Sequence, residues 1–211
     1  MISRSPPNDT ARRRWRRLAA TRVAAEGSSN DMPKVAEILI ARGDGFVTEM
    51  TGEVMLQFGG FVGDRHFGLT RPSCSRTPWH PRGTTISNTR QISIVSMEEC
   101  AAVAHDMGIG RIYPSWLGAN LATQNIADLS RLPPSTRMVF PSGATLFVTE
   151  ENVPCRQPGK VIAHEYGHAE LATEFVRTAM GRRGVLALVE REGLIKTDDR
   201  VKLILPRAHK T

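Results

Sequence analysis

Apolar and polar positions follow two regimes along the chain. Residues 1–31 are polar and rich in Arg, Ala and Ser, with no apolar core segment. From residue 34 onward, short β-branched runs alternate with Gly, Pro and Asp breaks. Residues 34–42 (KVAEILIAR) predict a strand closed by Gly43-Asp44-Gly45, and residues 54–58 predict a second, broken at Gly59-Gly60. Residues 91–96 (QISIVS) alternate and predict a third. Ser96 followed by Glu99 has the spacing of a capping box, so a helix is expected from about Met97 to Met107, stopped by Gly108. Residues 113–117 read as a short turn or helix. Residues 137–140 and 144–149, joined by Pro141-Ser142-Gly143, predict a hairpin, and a polar loop over 150–159 follows. Residues 170–180 place Leu171, Phe175, Val176 and Ala179 on one helical face. Residues 185–190 and 200–205 read as strands, separated by a Gly193 turn and a short strand at Leu194-Ile195. Residues 71–90 hold Pro, Ser, Thr, Arg, Trp79 and His80 without a period, and long loops of that kind often carry function. Many short strands and a few peripheral helices predict a strand-rich α+β domain built as a β-barrel. No internal repeat is visible.

Composition narrows the class. A chain of 211 residues with 40% hydrophobic and 23% charged residues is long enough for one buried core and is not wholly disordered. No run approaches the roughly 18 apolar residues that span a bilayer, so no membrane role is expected. Three cysteines do not make a disulfide framework. The net charge of +7 points at first to nucleic acid. It is unevenly placed: residues 1–31 hold seven arginines against Asp9, Glu26 and Asp31, more than half of the excess. That stretch reads as a basic, disordered tail, a targeting peptide, or a mis-assigned start with Met32 or Pro33 as the true beginning; it lacks the apolar segment of a secretory signal. The remainder, with a domain expected over 33–206, is only mildly basic. A nucleic-acid-binding module is therefore a weak alternative, and a cytoplasmic location is expected.

Two local patterns carry chemistry. His164-Glu165-Tyr166-Gly167-His168 matches H-E-x-x-H. On a helix, His164 and His168 would share a face and hold zinc, with Glu165 as general base of a metallopeptidase. A third ligand is missing: no histidine follows at the required spacing, Glu174 is close in sequence, and Glu190 lies in an expected core strand. The second pattern is Cys155, between Pro154 and Pro158 with Arg156 beside it. A neighbouring cation favours thiolate, which is both nucleophile and metal ligand, and flanking prolines stiffen the loop. Cys100 lies on the apolar face of the expected helix and reads as core. Cys74 sits in the long loop with no evident partner.

The segments Gly63-Asp64-Arg65-His66-Phe67-Gly68, Gln91-Ile92-Ser93-Ile94-Val95-Ser96, Trp116-Leu117-Gly118-Ala119-Asn120-Leu121, Pro141-Ser142-Gly143-Ala144, Pro154-Cys155 and Gly181-Arg182-Arg183-Gly184-Val185 occur in that order. Together with residues 193–201 they resemble the MOSC family, the molybdenum cofactor sulfurase C-terminal domain, in its short stand-alone bacterial form. The resemblance implies a β-barrel-like fold with a cleft cysteine, which maps to Cys155. It implies one of two roles for that cysteine: carrying a persulfide in sulfur transfer, or ligating molybdenum in a pterin cofactor. Under the second role Arg65, His66, Arg90, Asn120 and Arg156 would bind the cofactor's phosphate or polar edge. A sulfur donor such as a cysteine desulfurase, or an electron-transfer partner, would be needed. The family's association with pyridoxal phosphate comes with the resemblance, without a residue here assigned to it. Because the family does not use the segment after the cysteine for metal, the resemblance argues against catalytic zinc.

Overall fold

The computed structural model describes residues 32–207; the basic segment 1–31, with its tail and start-site readings, lies outside the described residues. Among these, β1 (Lys34–Ile40), β2 (Glu49–Thr51), β3 (Glu53–Gln57), β4 (Gly60–Phe61), β5 (Thr70–Pro72), β6 (Thr85–Ser87) and β7 (Ile92–Ser96) precede helix α1 (Met97–Asp106). Then come β8 (Leu121–Gln124), β9 (Arg137–Val139), β10 (Thr145–Glu151), helices α2 (Arg156–Tyr166) and α3 (Leu171–Thr178), and β11 (Val185–Arg191), β12 (Gly193–Lys196) and β13 (Lys202–Ile204). The result is a strand-rich α+β fold.

An eight-stranded sheet runs in the order β13-β9-β10-β11-β7-β8-β1-β2. It is antiparallel except where β7 pairs β8 in parallel, the pairing that α1 makes possible by crossing over between them. The strand period puts neighbouring residues on opposite faces. Ile94 and Leu121 join a core shared with Val54, Leu56, Phe61 and Ile195 of the small β12-β3-β4 sheet. Val95 and Ala122 face the other way, into a second core with Cys100, Val103, Ile162 and Phe175 of the helices.

The expected closed barrel is not formed. The outer edge of β1 is divided: Ile38–Ile40 pair with β2, and the start of the strand meets the segment leading into β13. There Asp198 N–H donates to Val35 O (2.9 Å), Val201 N–H donates to Pro33 O (2.8 Å), and Lys34 bridges Arg200. Asp198 has a left-handed backbone (φ 66), and the contact amounts to one isolated bridge; β13 itself pairs with β9 at the opposite edge. The sheet curls on itself without a ladder to seal it.

Two further expectations change. The aperiodic stretch 71–90 contains the β5–β6 strand pair. Of the loop expected over 150–159, residues 156–159 instead begin helix α2. Its proline, Pro158, lies in the first turn, where a missing N–H costs nothing. Gly159 is needed because a Cβ there would run into the Ala172 backbone, so its absence lets α2 lie against α3. In α1 the capping box is half formed. Ser96 Oγ accepts from Glu99 N–H (3.2 Å), but the Glu99 carboxylate accepts from Ser130 N–H (3.0 Å) and Oγ–H (2.6 Å) instead of returning to the cap. Among the described residues no helix is long and apolar enough to cross a membrane.

Gly184 opens β11 at φ 100, its N–H donates to Ser130 Oγ, and a Cβ would meet the Ile94 carbonyl oxygen far inside contact distance. Gly63 has φ 86 with open space around it. Gly63→Ala should therefore cost about 1–2 kcal/mol from backbone conformation alone. Gly184→Ala should cost clearly more, about 3 kcal/mol or above, measured by urea denaturation.

Candidate functional site

One cavity of about 500 Å³ is lined from six separate parts of the chain: Phe46, the 65–76 segment, residues 88–93, 117–120, 152–157, and Arg183 with Leu186. Its wall carries Arg65, Arg71, Arg76, Arg90 and Arg183 and no carboxylate. Two of the three cysteines, Cys155 and Cys74, also line it, and both are partly exposed free thiols.

Cys155 is placed by what surrounds it in the chain. β10 ends at Glu151, and Asn152 is then fixed by its N–H to Gly184 O (2.9 Å) and its Nδ2 to Ser93 Oγ (3.0 Å). Pro154 is buried, and Cys155 sits at the N-cap of α2 with extended backbone (φ −137, ψ 172). Its side chain makes no capping bond; Arg76 Nη2 lies 3.0 Å from Sγ instead. A guanidinium and the N-terminus of α2 thus both stand beside this sulfur.

The remaining arginines are held mostly by carbonyls. Arg183 is 6% exposed; its Nη2 donates to Leu117 O (2.6 Å), and its Nη1 is buried without a partner. Burial pushes its pKa down to about 10, so it remains a cation at neutral pH. Arg71 Nη1 donates to Pro72 O (3.1 Å) and lies 3.8 Å from Cys74 Sγ, while its Nε is buried and unpaired. Arg90, its side chain 14% exposed, pairs with Glu150 (2.8 Å); burial lowers its pKa despite that partner. Arg65 Nη1 is engaged by the carbonyls of Gly45 (2.6 Å) and Asp44 (2.9 Å).

Buried Asp64 ties the first lining segment to the sheet. Its Oδ2 accepts from Ala41 N–H and Asn120 Nδ2 (both 2.8 Å). Its Oδ1 accepts from His66 N–H (2.8 Å) and lies 2.9 Å from His66 Nδ1. Burial alone would raise its pKa, but the bonds from His66 and Ala41 outweigh it and hold the carboxyl below its ordinary value.

The predicted residues are thus distributed unequally. Cys155, Arg65, His66, Arg90 and Asn120 all line the cavity. Asn120 spends its side chain internally, donating to Asp64 and accepting from Ser93 N–H (3.0 Å), and so positions the wall. Arg156 is exposed at the first position of α2 and is not part of the lining; the cation at Cys155 is Arg76, 79 residues away in sequence. Cys100 is buried in α1, and burial pushes its thiol up to about 12. His164 and His168 do not share a helical face, because α2 ends at Tyr166 and Gly167 turns left-handed (φ 71). Both are exposed, facing Glu165 (3.5 Å) and Glu170 (3.4 Å) respectively. Glu174 faces Arg177 and Glu190 pairs with Arg137, and among the described residues no cluster of three or more candidate ligands could hold a metal. Sequence reading gives no site role to Arg71, Arg76, Arg183 or Cys74, although Arg183 lies within the motif at residues 181–185. The one clue to the first two and Cys74 is that they lie in a long aperiodic loop.

The sequence profile of the MOSC domain matches residues 64–202. The chain is 44% identical over 190 residues to YuaD of Bacillus subtilis (strain 168), a protein named for metal-sulfur cluster biosynthesis; the match spans 90% of this chain and 92% of YuaD. The crystal structure of Bacillus subtilis YuaD superposes with a TM-score of 0.81 at 45% identity, over 83% of this chain and 98% of that one. YiiM from Escherichia coli shares the fold at a TM-score of 0.54 and 16% identity, over 84% of this chain and 73% of its own.

Because the Asp64 pKa is lowered in the folded state, its stabilisation is present in full above about pH 4 and is lost as pH falls through the lowered value. Asp64→Asn should cost about 2 kcal/mol at pH 7, where charged hydrogen bonds are lost. The gap to the parent chain should shrink as pH falls below about 4, as read from denaturant midpoints across pH.

Proposed function

The chain belongs to the MOSC domain family, and on that premise we propose that it carries sulfur on Cys155. The observation that carries this reading is Arg76 Nη2 at 3.0 Å from Cys155 Sγ, at a cavity lined by five arginines and no carboxylate. The name of YuaD, metal-sulfur cluster biosynthesis, supports it. The chemistry is an exchange. The Cys155 thiolate attacks the outer sulfur of a donor persulfide, R–S–SH. The donor's S–S bond breaks, a new S–S bond forms on Cys155, and the donor leaves as its thiolate R–S⁻. Nothing is oxidised overall. Arg76 stabilises the thiolate before attack, and the other arginines draw an anionic donor group into the cavity. A cysteine desulfurase is a donor of the right kind. Free thiols at Cys74, Cys100 and Cys155 suit a reducing cytoplasm.

A second reading, a molybdenum-pterin cofactor in the same cavity, is favoured by a specific feature. Arg183 Nη1 is buried and unpartnered on the wall, as expected for a group that awaits an anion. The volume of about 500 Å³ lies within the range of cofactor pockets. Cys155 would supply the soft thiolate ligand, and Arg183 and Arg71 would hold the anionic part. Such a group would supply two-electron redox chemistry, fed by an electron-transfer partner.

Incubation with a cysteine desulfurase and L-cysteine, followed by peptide mass spectrometry, separates these readings. A sulfur carrier gains one sulfur atom on Cys155, and Cys155→Ser gains none there. Arg76→Ala should slow loading about tenfold, the loss of one charge-assisted contact. Unchanged total loading of Cys155→Ser would overturn the carrier reading. Stoichiometric molybdenum, lost in Cys155→Ser, would establish the cofactor reading in its place.

A further inference from the structure

Cys74 and Cys155 reach the same cavity from distant parts of the fold, one from the turn after β5 and the other from the N-cap of α2. Arg76 connects them. Its side chain reaches Cys155 Sγ, and its backbone N–H lies against the Cys74 thiol. Arg71 Nη1 stands 3.8 Å from Cys74 Sγ. The Arg76 N–H is the main influence on Cys74; working against burial and aided by Arg71, it lowers the thiol's pKa. Close by, two buried guanidinium nitrogens, Arg71 Nε and Arg183 Nη1, have no partner, and both arginines line this cavity. Two thiols, each beside a cation, therefore share a space in which positive groups lack counter-charge. Cys100 is buried in the helical core and serves as an internal control.

We propose that Cys74 is the second reacting thiol of this site and releases the sulfur held on Cys155 as hydrosulfide. The proposal rests on the persulfide reading above. The Cys74 thiolate attacks the inner sulfur of Cys155–S–SH. The bond to the outer sulfur breaks, a Cys74–Cys155 disulfide forms, and HS⁻ leaves. The carried sulfur is reduced by two electrons, and the two cysteine sulfurs supply them. A dithiol reductant then reopens the disulfide and resets the site. Attack at the inner sulfur is favoured because hydrosulfide, the conjugate base of a stronger acid than a cysteine thiol, is the better leaving group. Arg71 and Arg183, each with an unpaired guanidinium nitrogen, line the cavity in which that charge develops. A thiol in the same cavity also competes at high effective concentration against any thiol in solution. The turn that carries Cys74 is closed by its own bonds, Cys74 N–H to Thr77 Oγ1 (3.1 Å) and Thr77 N–H to Cys74 O (2.9 Å).

The test loads the full chain from a cysteine desulfurase and L-cysteine without reductant, desalts it, and follows sulfide release and non-reduced peptides by mass spectrometry. The parent chain should yield a linked 74–155 peptide and about one equivalent of sulfide, with Cys100 unmodified. Cys74→Ser and Cys74→Ala should keep the persulfide on Cys155 and release sulfide at least about tenfold more slowly. Loading of Cys155 with the same persulfide lifetime in all three proteins and no linked peptide would overturn the role of Cys74 alone. No sulfur on Cys155 in any of them would overturn the persulfide reading and this proposal together.

Discussion

Five guanidinium groups around one cavity, with no carboxylate on its wall, repel one another, and much of the local structure serves to hold them there. The strain is visible in Arg183 and Arg90. Burial lowers the pKa of both, and neighbouring arginines lower it further. Only Arg90 has a carboxylate partner, Glu150. The others are held by carbonyl oxygens of Leu117, Pro72 and Gly45 and by the sulfur of Cys155. Carbonyl dipoles satisfy hydrogens without cancelling the charge. The cavity therefore keeps a positive potential that only an anion can neutralise. A site of this kind trades stability for function.

The fold pays for that arrangement with glycines and buried polar ties. Gly184 lets the chain pass against the Ile94 carbonyl beside Arg183, and Asn152 is pinned to the Gly184 carbonyl three residues before the cysteine. Asp64, through Ala41, His66 and Asn120, fastens the segment that leads to Arg71 and Arg76 onto the sheet. The parallel β7–β8 pair lies at the centre of this construction. Ser93 and Asn120, one from β7 and one from the approach to β8, reach both the Asp64 tie and the Asn152 tie. Cys155 is placed at the N-terminus of α2 by these backbone ties and its own extended conformation.

The sequence makes some of this legible and hides the rest. Strands such as residues 92–96 and helix α1 can be read because period-2 alternation and an N-cap serine are local properties. Helix α2 is hidden because its cap is a cysteine and its first turn holds Pro158-Gly159, a pair that resembles a loop. Barrel closure is not a local property. It depends on whether the last strand can ladder with β1, and here β13 ladders with β9 while the segment before it meets β1 through a single isolated bridge. Cys155 is legible from its proline frame and from the order of motifs around it. Its cation is not. Arg156 is adjacent in sequence but lies on the outside of the helix, whereas Arg76 arrives from a loop with no period of its own. Cys74 is hidden for the same reason.

If Cys155 carries sulfur in the arginine-lined cavity, the chain as it occurs in its native host should show it. The most direct measurement is a site-resolved inventory of the chain isolated from its native host without reductant, combining peptide mass spectrometry with elemental analysis. A sulfur carrier should show an added sulfur atom, or a disulfide derived from it, at Cys155, with Cys100 unmodified and no stoichiometric metal. One molybdenum per chain, with Cys155 free of added sulfur, would contradict it.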